Sequence, residues 1–166
     1  MNNNNAVFNP VNKSISDDIK AELRAQGHYL TGKLEESFKE VIIDSPGGLT
    51  LSVEAADYLS SLEKETPAGQ ISLTEQDMEN LTQWVIMRGM ATYQFEARQI
   101  AYAIYTKWKH EGRPTPGSLQ YSQTGKRTEA IKDVFHKNEP RYTSMIDNTV
   151  VSQLDNEFNQ IKSGTI

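Results

Sequence analysis

Val41-Ile42-Ile43-Asp44-Ser45-Pro46-Gly47-Gly48-Leu49-Thr50-Leu51-Ser52-Val53 is the stretch that decides the fold class. Val41 to Ile43 is a β-branched run. Such side chains lose freedom against a helical turn and pack well on a pleated surface. Asp44 to Gly48 gathers Asp, Ser, Pro and two glycines into a dense turn signal. Leu49, Leu51 and Val53 then alternate with Thr50, Ser52 and Glu54, the period of a half-buried strand. The two runs predict an antiparallel hairpin over about 39–54.

Helical signals flank the hairpin. Ser16 before Asp17 and Asp18 marks a helix start, because free N–H groups and the helix dipole favour a capping hydroxyl followed by acids. Ile19 and Leu23 continue that helix, and Gly27 stops it. Residues 1–13 are Asn-rich, contain Pro10, and read as a disordered arm. Tyr29 to Phe38 reads as a turn into a short helix or strand, and Ala55 to Leu62 as a short helix or a continuing strand. Thr66-Pro67-Ala68-Gly69 breaks the chain.

Thr74, with Glu75 and Asp77 behind it, caps a helix whose buried face is Met78, Leu81, Trp84 and Val85. Gly89 ends or kinks it. Thr92 to Glu111 is helical, with Phe95, Gln99, Tyr102, Ile104, Tyr105 and Trp108 on one broad face and Gly112 as its close. After two polar loops, Thr128 to His136 predicts a short helix holding Ile131, Val134 and Phe135 inside. Pro140 then suits a helix start. Tyr142, Ile146, Val150, Leu154 and Phe158 follow at intervals of four, with Ile161 beyond, the clearest amphipathic pattern in the chain. Residues 163–166 read as a frayed tail. The order of elements predicts an α+β fold: a small antiparallel sheet packed with several helices, in a single domain over 14–162 that ends in a long C-terminal helix.

The chain has 166 residues, an apolar share of 37% and no cysteine. That length can bury a core without covalent staples. The absence of cysteine excludes disulfides, thiolate metal sites and a cysteine nucleophile. The start lacks the basic and apolar regions of a signal peptide, and no apolar run approaches the roughly 18 residues of a membrane span. The expectation is a chain made in the cytoplasm, with no membrane partner. The net charge of −5 is uneven, with eleven acids and six bases in residues 1–68 and balanced charge beyond. Nonspecific nucleic-acid binding needs a strong basic surface, which this balance does not advertise.

His28, His110 and His136 lie far apart, without helical ligand spacing, so exposed or capping histidines are expected and no metal. No nucleophile elbow or phosphate-binding loop is present, and Pro46-Gly47-Gly48 sits between strands rather than opening a helix. Glu35-Glu36 and Asp17-Asp18 read as acidic surface. The expectation is therefore no enzyme, no catalytic residue and no cofactor. One segment keeps an alternative open. Arg98, Lys107, Lys109 and Arg113 are interleaved with Tyr102, Tyr105 and Trp108, a mixture that can bind phosphates and stack bases. The simpler reading packs the aromatics inside and leaves the lysines in water.

Thr31-Gly32-Lys33-Leu34-Glu35-Glu36-Ser37-Phe38 resembles the Thr-Gly-x-Leu-x-x-Ser-Ile segment of tailed-phage tail-completion and head–tail joining (neck) proteins. The order of elements is similar as well: a helix, this motif, a hairpin, then a tyrosine at Tyr58. Ile100 to Pro114 looks like the helix, glycine and Pro-containing loop common in phage neck and tail proteins. The Glu65-Thr66-Pro67 and Pro116-Gly117-Ser118-Leu119 segments match the family's later motifs only loosely, and the C-terminal helix is longer. The resemblance makes Thr31, Gly32, Leu34, Ser37 and Tyr58 family-motif positions. It implies a structural virion subunit that forms a homo-oligomeric ring at the head–tail connector or tail terminus. Its implied partners are other copies, portal, adaptor or tail proteins, and DNA passing through. Arg98, Lys107, Lys109 and Arg113 would then be interface or DNA-facing residues. The implied location is the virion, with the host cytoplasm during assembly.

Overall fold

A computed structural model describes residues 7–28, 32–46, 48–57 and 59–164. The chain divides into two compact units rather than the single domain expected over 14–162. Unit 1 comprises Met1–Glu63 and Glu129–Ile166, and unit 2 comprises Lys64–Thr128. Each buries its own apolar set, so unit 2 is an insertion with a core of its own.

Unit 1 opens with helix α1, Asn9–Ala25. This corrects the disordered arm expected over 1–13 for residues 9–13, while residues 1–6 lie outside the described residues. Val11 and Ile15 extend the Ile19 and Leu23 stripe one further turn at each step, and all four are buried. Pro10 lies in the first turn, where a missing N–H costs nothing. Ser16, read as the cap, is instead buried mid-helix.

Helix α2 is Lys33–Glu36, followed by strands β1, Lys39–Ser45, and β2, Gly48–Glu54. The strands pair antiparallel from Lys39↔Glu54 to Ser45↔Gly48, as the alternation predicted. Among the described residues they form one two-stranded sheet. A lone hairpin is marginal in water, so it needs a helix to lean on. Asn12 of α1 supplies a polar link. It is fully buried, and its Nδ2 donates to the carbonyls of Val41 and Ser52, each at 3.0 Å. Leu51 and Val53 pack against the α1 core.

Helix α3 is the short turn Leu59–Leu62, and the chain returns to unit 1 as α6, Ala130–Lys162. The two helices expected after Thr128 and Pro140 are thus one. Pro140 lies inside it, because the buried face of Ala130, Val134 and Tyr142 runs past the proline in unbroken helical phase. Tyr142 Oη donates to Asp18 of α1 at 2.5 Å, and Arg141 pairs with the same carboxylate. Burial first, and then the Asp18 bond, push the Tyr142 phenol up to about 12.

Both ends of the insertion meet at Glu63. The Glu129 N–H donates to the Glu63 carbonyl at 3.3 Å, and the Ile131 N–H reaches the Glu63 carboxylate at 3.1 and 3.2 Å. Glu63 therefore caps α6 from outside its own helix. Burial pushes its carboxyl up, while backbone N–H groups of the first α6 turn pull it back.

Unit 2 holds α4, Glu75–Met87, and α5, Gln94–Glu111, followed by a 3-10 turn at Pro116–Tyr121. The capping prediction at Thr74 holds: its hydroxyl accepts from the Asp77 N–H at 3.2 Å, and Asp77 accepts from the Thr74 N–H at 2.9 Å. Met78, Leu81 and Val85 face Ala97 and Ala101 of α5. Small residues at those two positions let the helices approach closely. Gly112 ends α5 at φ 85°, and a Cβ there would meet the Thr66 carbonyl oxygen at 2.9 Å. The close approach carries a short antiparallel bridge, in which Thr66 and Arg113 exchange both backbone bonds at 2.8 Å.

Candidate interaction surfaces

The last turns of α6 leave the unit 1 core. Exposure climbs from 36% at Ile146 through 59% at Leu154 to 67% at Phe158 and Ile161. At 3.6 residues per turn this stripe lies about 150° round the helix from the Val134 and Tyr142 face. The sequence located an apolar face correctly, but the chain's own core takes only its first member, Tyr142. Apolar side chains held in water at i, i+4 spacing are the pattern of a helix face that packs on another molecule. Asp147 lies on the same outer side, whereas Glu157 lines the inner side with Gln153 and Gln160. The inner side of this stretch meets Val7 across a shallow depression of about 550 Å³, lined mostly by amides and hydroxyls such as Asn148, Ser152 and Asn156.

Unit 2 carries a second outer face, on α5. Phe95 is 76% exposed and Tyr102 61% exposed, whereas Tyr105 and Trp108 are half-buried. This corrects the expected single aromatic face. The α5 surface that packs on α4 is the Ala97 and Ala101 side, so residues at the Phe95 and Tyr102 phase point outward. Arg98 and Lys109 share that outer side. The arrangement is a mixed stripe of aromatic and basic groups, roughly one helical turn or two apart.

The four basic candidates fall into different roles. Arg98 pairs with Glu75, and Lys107 lies 3.8 Å from Glu111. Both pairs are largely exposed, and such pairs contribute roughly 0–1 kcal/mol. Arg113 is half-buried and lies over the Trp108 ring at 5.7 Å, besides making the bridge to Thr66. Its place is structural. Lys109 is exposed on the outer stripe, while its carbonyl accepts from the Gly69 N–H at 2.8 Å.

The family-motif positions sit in unit 1. Thr31 and Tyr58 lie outside the described residues. Gly32 adopts φ 77°, a left-handed conformation that glycine takes without strain, and it opens α2. Leu34 packs against the unit 1 core. Ser37 Oγ donates to the Leu34 carbonyl at 2.6 Å and accepts from the Ala56 N–H at 3.0 Å. Phe38 is buried beside it, with the Lys20 ammonium 5.3 Å from its ring centre. The motif therefore sets a turn and fastens it to the residues after β2.

Charge separates the two units more sharply than it separates N-terminal from C-terminal parts. Unit 1 holds sixteen acids and nine bases, net −7, and unit 2 holds six acids and eight bases, net +2. Among the described residues no group of three or more His, Asp or Glu is placed to hold a metal ion, and no helix is long and apolar enough to cross a membrane. Comparison of the chain with protein-family models, curated proteins and solved structures finds no match in any of the three.

Proposed function

We propose that this chain is a structural virion subunit of a tailed bacteriophage, forming an oligomeric ring at the head–tail connector or tail terminus during particle assembly. The observation that carries the reading is the apolar outer face of α6 from Ile146 to Ile161, which the chain's own core does not cover. A subunit that works by contact needs such a face. A ring closed by rotation needs two different ones, since each copy meets one neighbour with one surface and the next neighbour with another. The α5 stripe of Phe95 and Tyr102 is a second. The resemblance across Thr31 to Phe38 directs the reading to phage neck and tail-completion proteins. Portal, adaptor or tail proteins would then be the neighbours above and below. The test is to purify particles from the phage that encodes the chain and to look for it by mass spectrometry and immunolabelling at the neck or tail end. Its presence there at a fixed ratio to the portal protein is the expected result. Absence from mature particles overturns the reading.

A second reading has one observation in its favour: exposed Tyr102 and Phe95 beside Arg98 and Lys109 could stack bases and meet phosphates. Against it, Arg98 and Lys107 already pair with acids and Arg113 lies over Trp108. Salt-dependent DNA binding that disappears in the Lys107→Glu, Lys109→Glu variant would favour this reading. No binding at low salt removes it.

A further inference from the structure

We infer that the outer face of α6 in one copy docks on the outer face of α5 in the next copy, so that subunits join head to tail. The inference rests on the assembly reading and names its partner and its two surfaces.

Two features of the faces match. Both are apolar stripes on single helices: Leu154 and Phe158 on α6, Phe95 and Tyr102 on α5. Two stripes of this kind pack by setting the ridges of one helix into the grooves of the other. Their charges are opposite, with Asp147 on the α6 face and Arg98 and Lys109 on the α5 face. The unit totals, −7 against +2, favour the same pairing at long range.

Pairing of α6 with another α6 lacks these matches, because it opposes acid to acid. The Arg98–Glu75 pair is exposed on both sides and loses little by exchanging Glu75 for a carboxylate of the neighbour. A contact between two different faces leaves one of each free at the ends of any open chain. Growth continues until rotation closes a ring.

The experiment mixes two variants of the full chain. Leu154→Asp with Phe158→Asp disables the α6 face, and Phe95→Asp with Tyr102→Asp disables the α5 face. All four side chains are exposed, so the variants keep the wild-type fold, checked by circular dichroism and the thermal transition. Sedimentation velocity then reads assembly. The expected results are association of the wild-type chain that weakens with salt, monomers for each variant alone, and a one-to-one dimer that grows no further when the two variants are mixed. Self-association of the α5 variant alone, growth beyond a dimer in the mixture, or a wild-type chain that stays monomeric at all concentrations would each overturn the contact. Those failures leave the particle assignment standing, since particle purification decides it separately.

Discussion

Unit 1 and unit 2 solve the folding problem in opposite ways. Unit 2 is one continuous stretch, with α4 and α5 joined by a short turn and Thr66 meeting Arg113 across the base. Unit 1 is assembled from the two ends of the chain, and its ties are long: Asn12 to Ser52, Glu63 to Ile131, Asp18 to Tyr142. Local contacts close at small entropic cost, whereas distant ones must be held by strong burial and buried hydrogen bonds. The buried polar links of unit 1, Asn12 and Tyr142, sit where distant segments cross. The units also differ in charge sign, which turns a difference in construction into a difference in what each attracts.

The largest expected effect breaks one unit and spares the other. Ile19→Ala removes buried volume from the centre of α1 and costs about 2–5 kcal/mol in unit 1. Both tryptophans, Trp84 and Trp108, lie in unit 2. Circular dichroism should therefore show an earlier loss of part of the helix signal, while the tryptophan fluorescence transition stays in place. A matching shift of the fluorescence transition would show that the units unfold together.

The Tyr142 link gives a smaller effect with a pH signature. Its phenol is raised from an ordinary value near 10 to about 12 by burial and by Asp18. A group raised in the folded state contributes its stability fully below the unfolded pKa and loses it as pH rises through the folded one. Unit 1 should therefore weaken between about pH 10 and about pH 12, by on the order of 2 kcal/mol. Tyr142→Phe should cost about 1 kcal/mol at neutral pH and remove that part of the alkaline slope in denaturant titrations. A variant with an unchanged alkaline slope would sever the link between Tyr142 and unit 1 stability.

The smallest effect belongs to unit 2. Thr74→Ala deletes the capping hydroxyl of α4 and should cost about 1 kcal/mol, read by tryptophan fluorescence. The Asp77 carboxyl is held below its ordinary range by its bonds to Thr74. A depressed group stabilises above its unfolded pKa and loses that contribution as pH falls through the folded one. Acid should therefore weaken wild-type unit 2 more than the Thr74→Ala variant below about pH 4.

What the sequence disclosed follows the same division between local and distant. The hairpin was legible because a β-branched run, a turn cluster and an alternating run sit side by side. The α4 start was legible because a capping box spans only four residues. The start of α1 was obscured by the asparagines around Val11, whose burial depends on strands about thirty residues away. Ser37 was visible as a motif position, but its bond to Ala56 is a tertiary fact. Periodicity on α6 identified an apolar face without saying what covers it, since spacing records which residues share a side and not where a core ends. The same limit placed Tyr102 inside and Phe95 on one face with Trp108, because Ala97 and Ala101 carry little hydrophobic signal yet form the packed side of α5. The unit boundary at Glu63 lacks a long linker of distinctive composition, so two cores read as one.

The proposed contact sets the uncovered face of α6 on the α5 face of another copy. The chain has no cysteine, so single cysteines report contacts unambiguously. Leu154→Cys and Tyr102→Cys chains, mixed under mild oxidation, should form a disulfide-linked heterodimer, with little product from either chain alone. A Leu154→Cys chain that cross-links efficiently to itself, or a mixture that yields no heterodimer, would contradict the account.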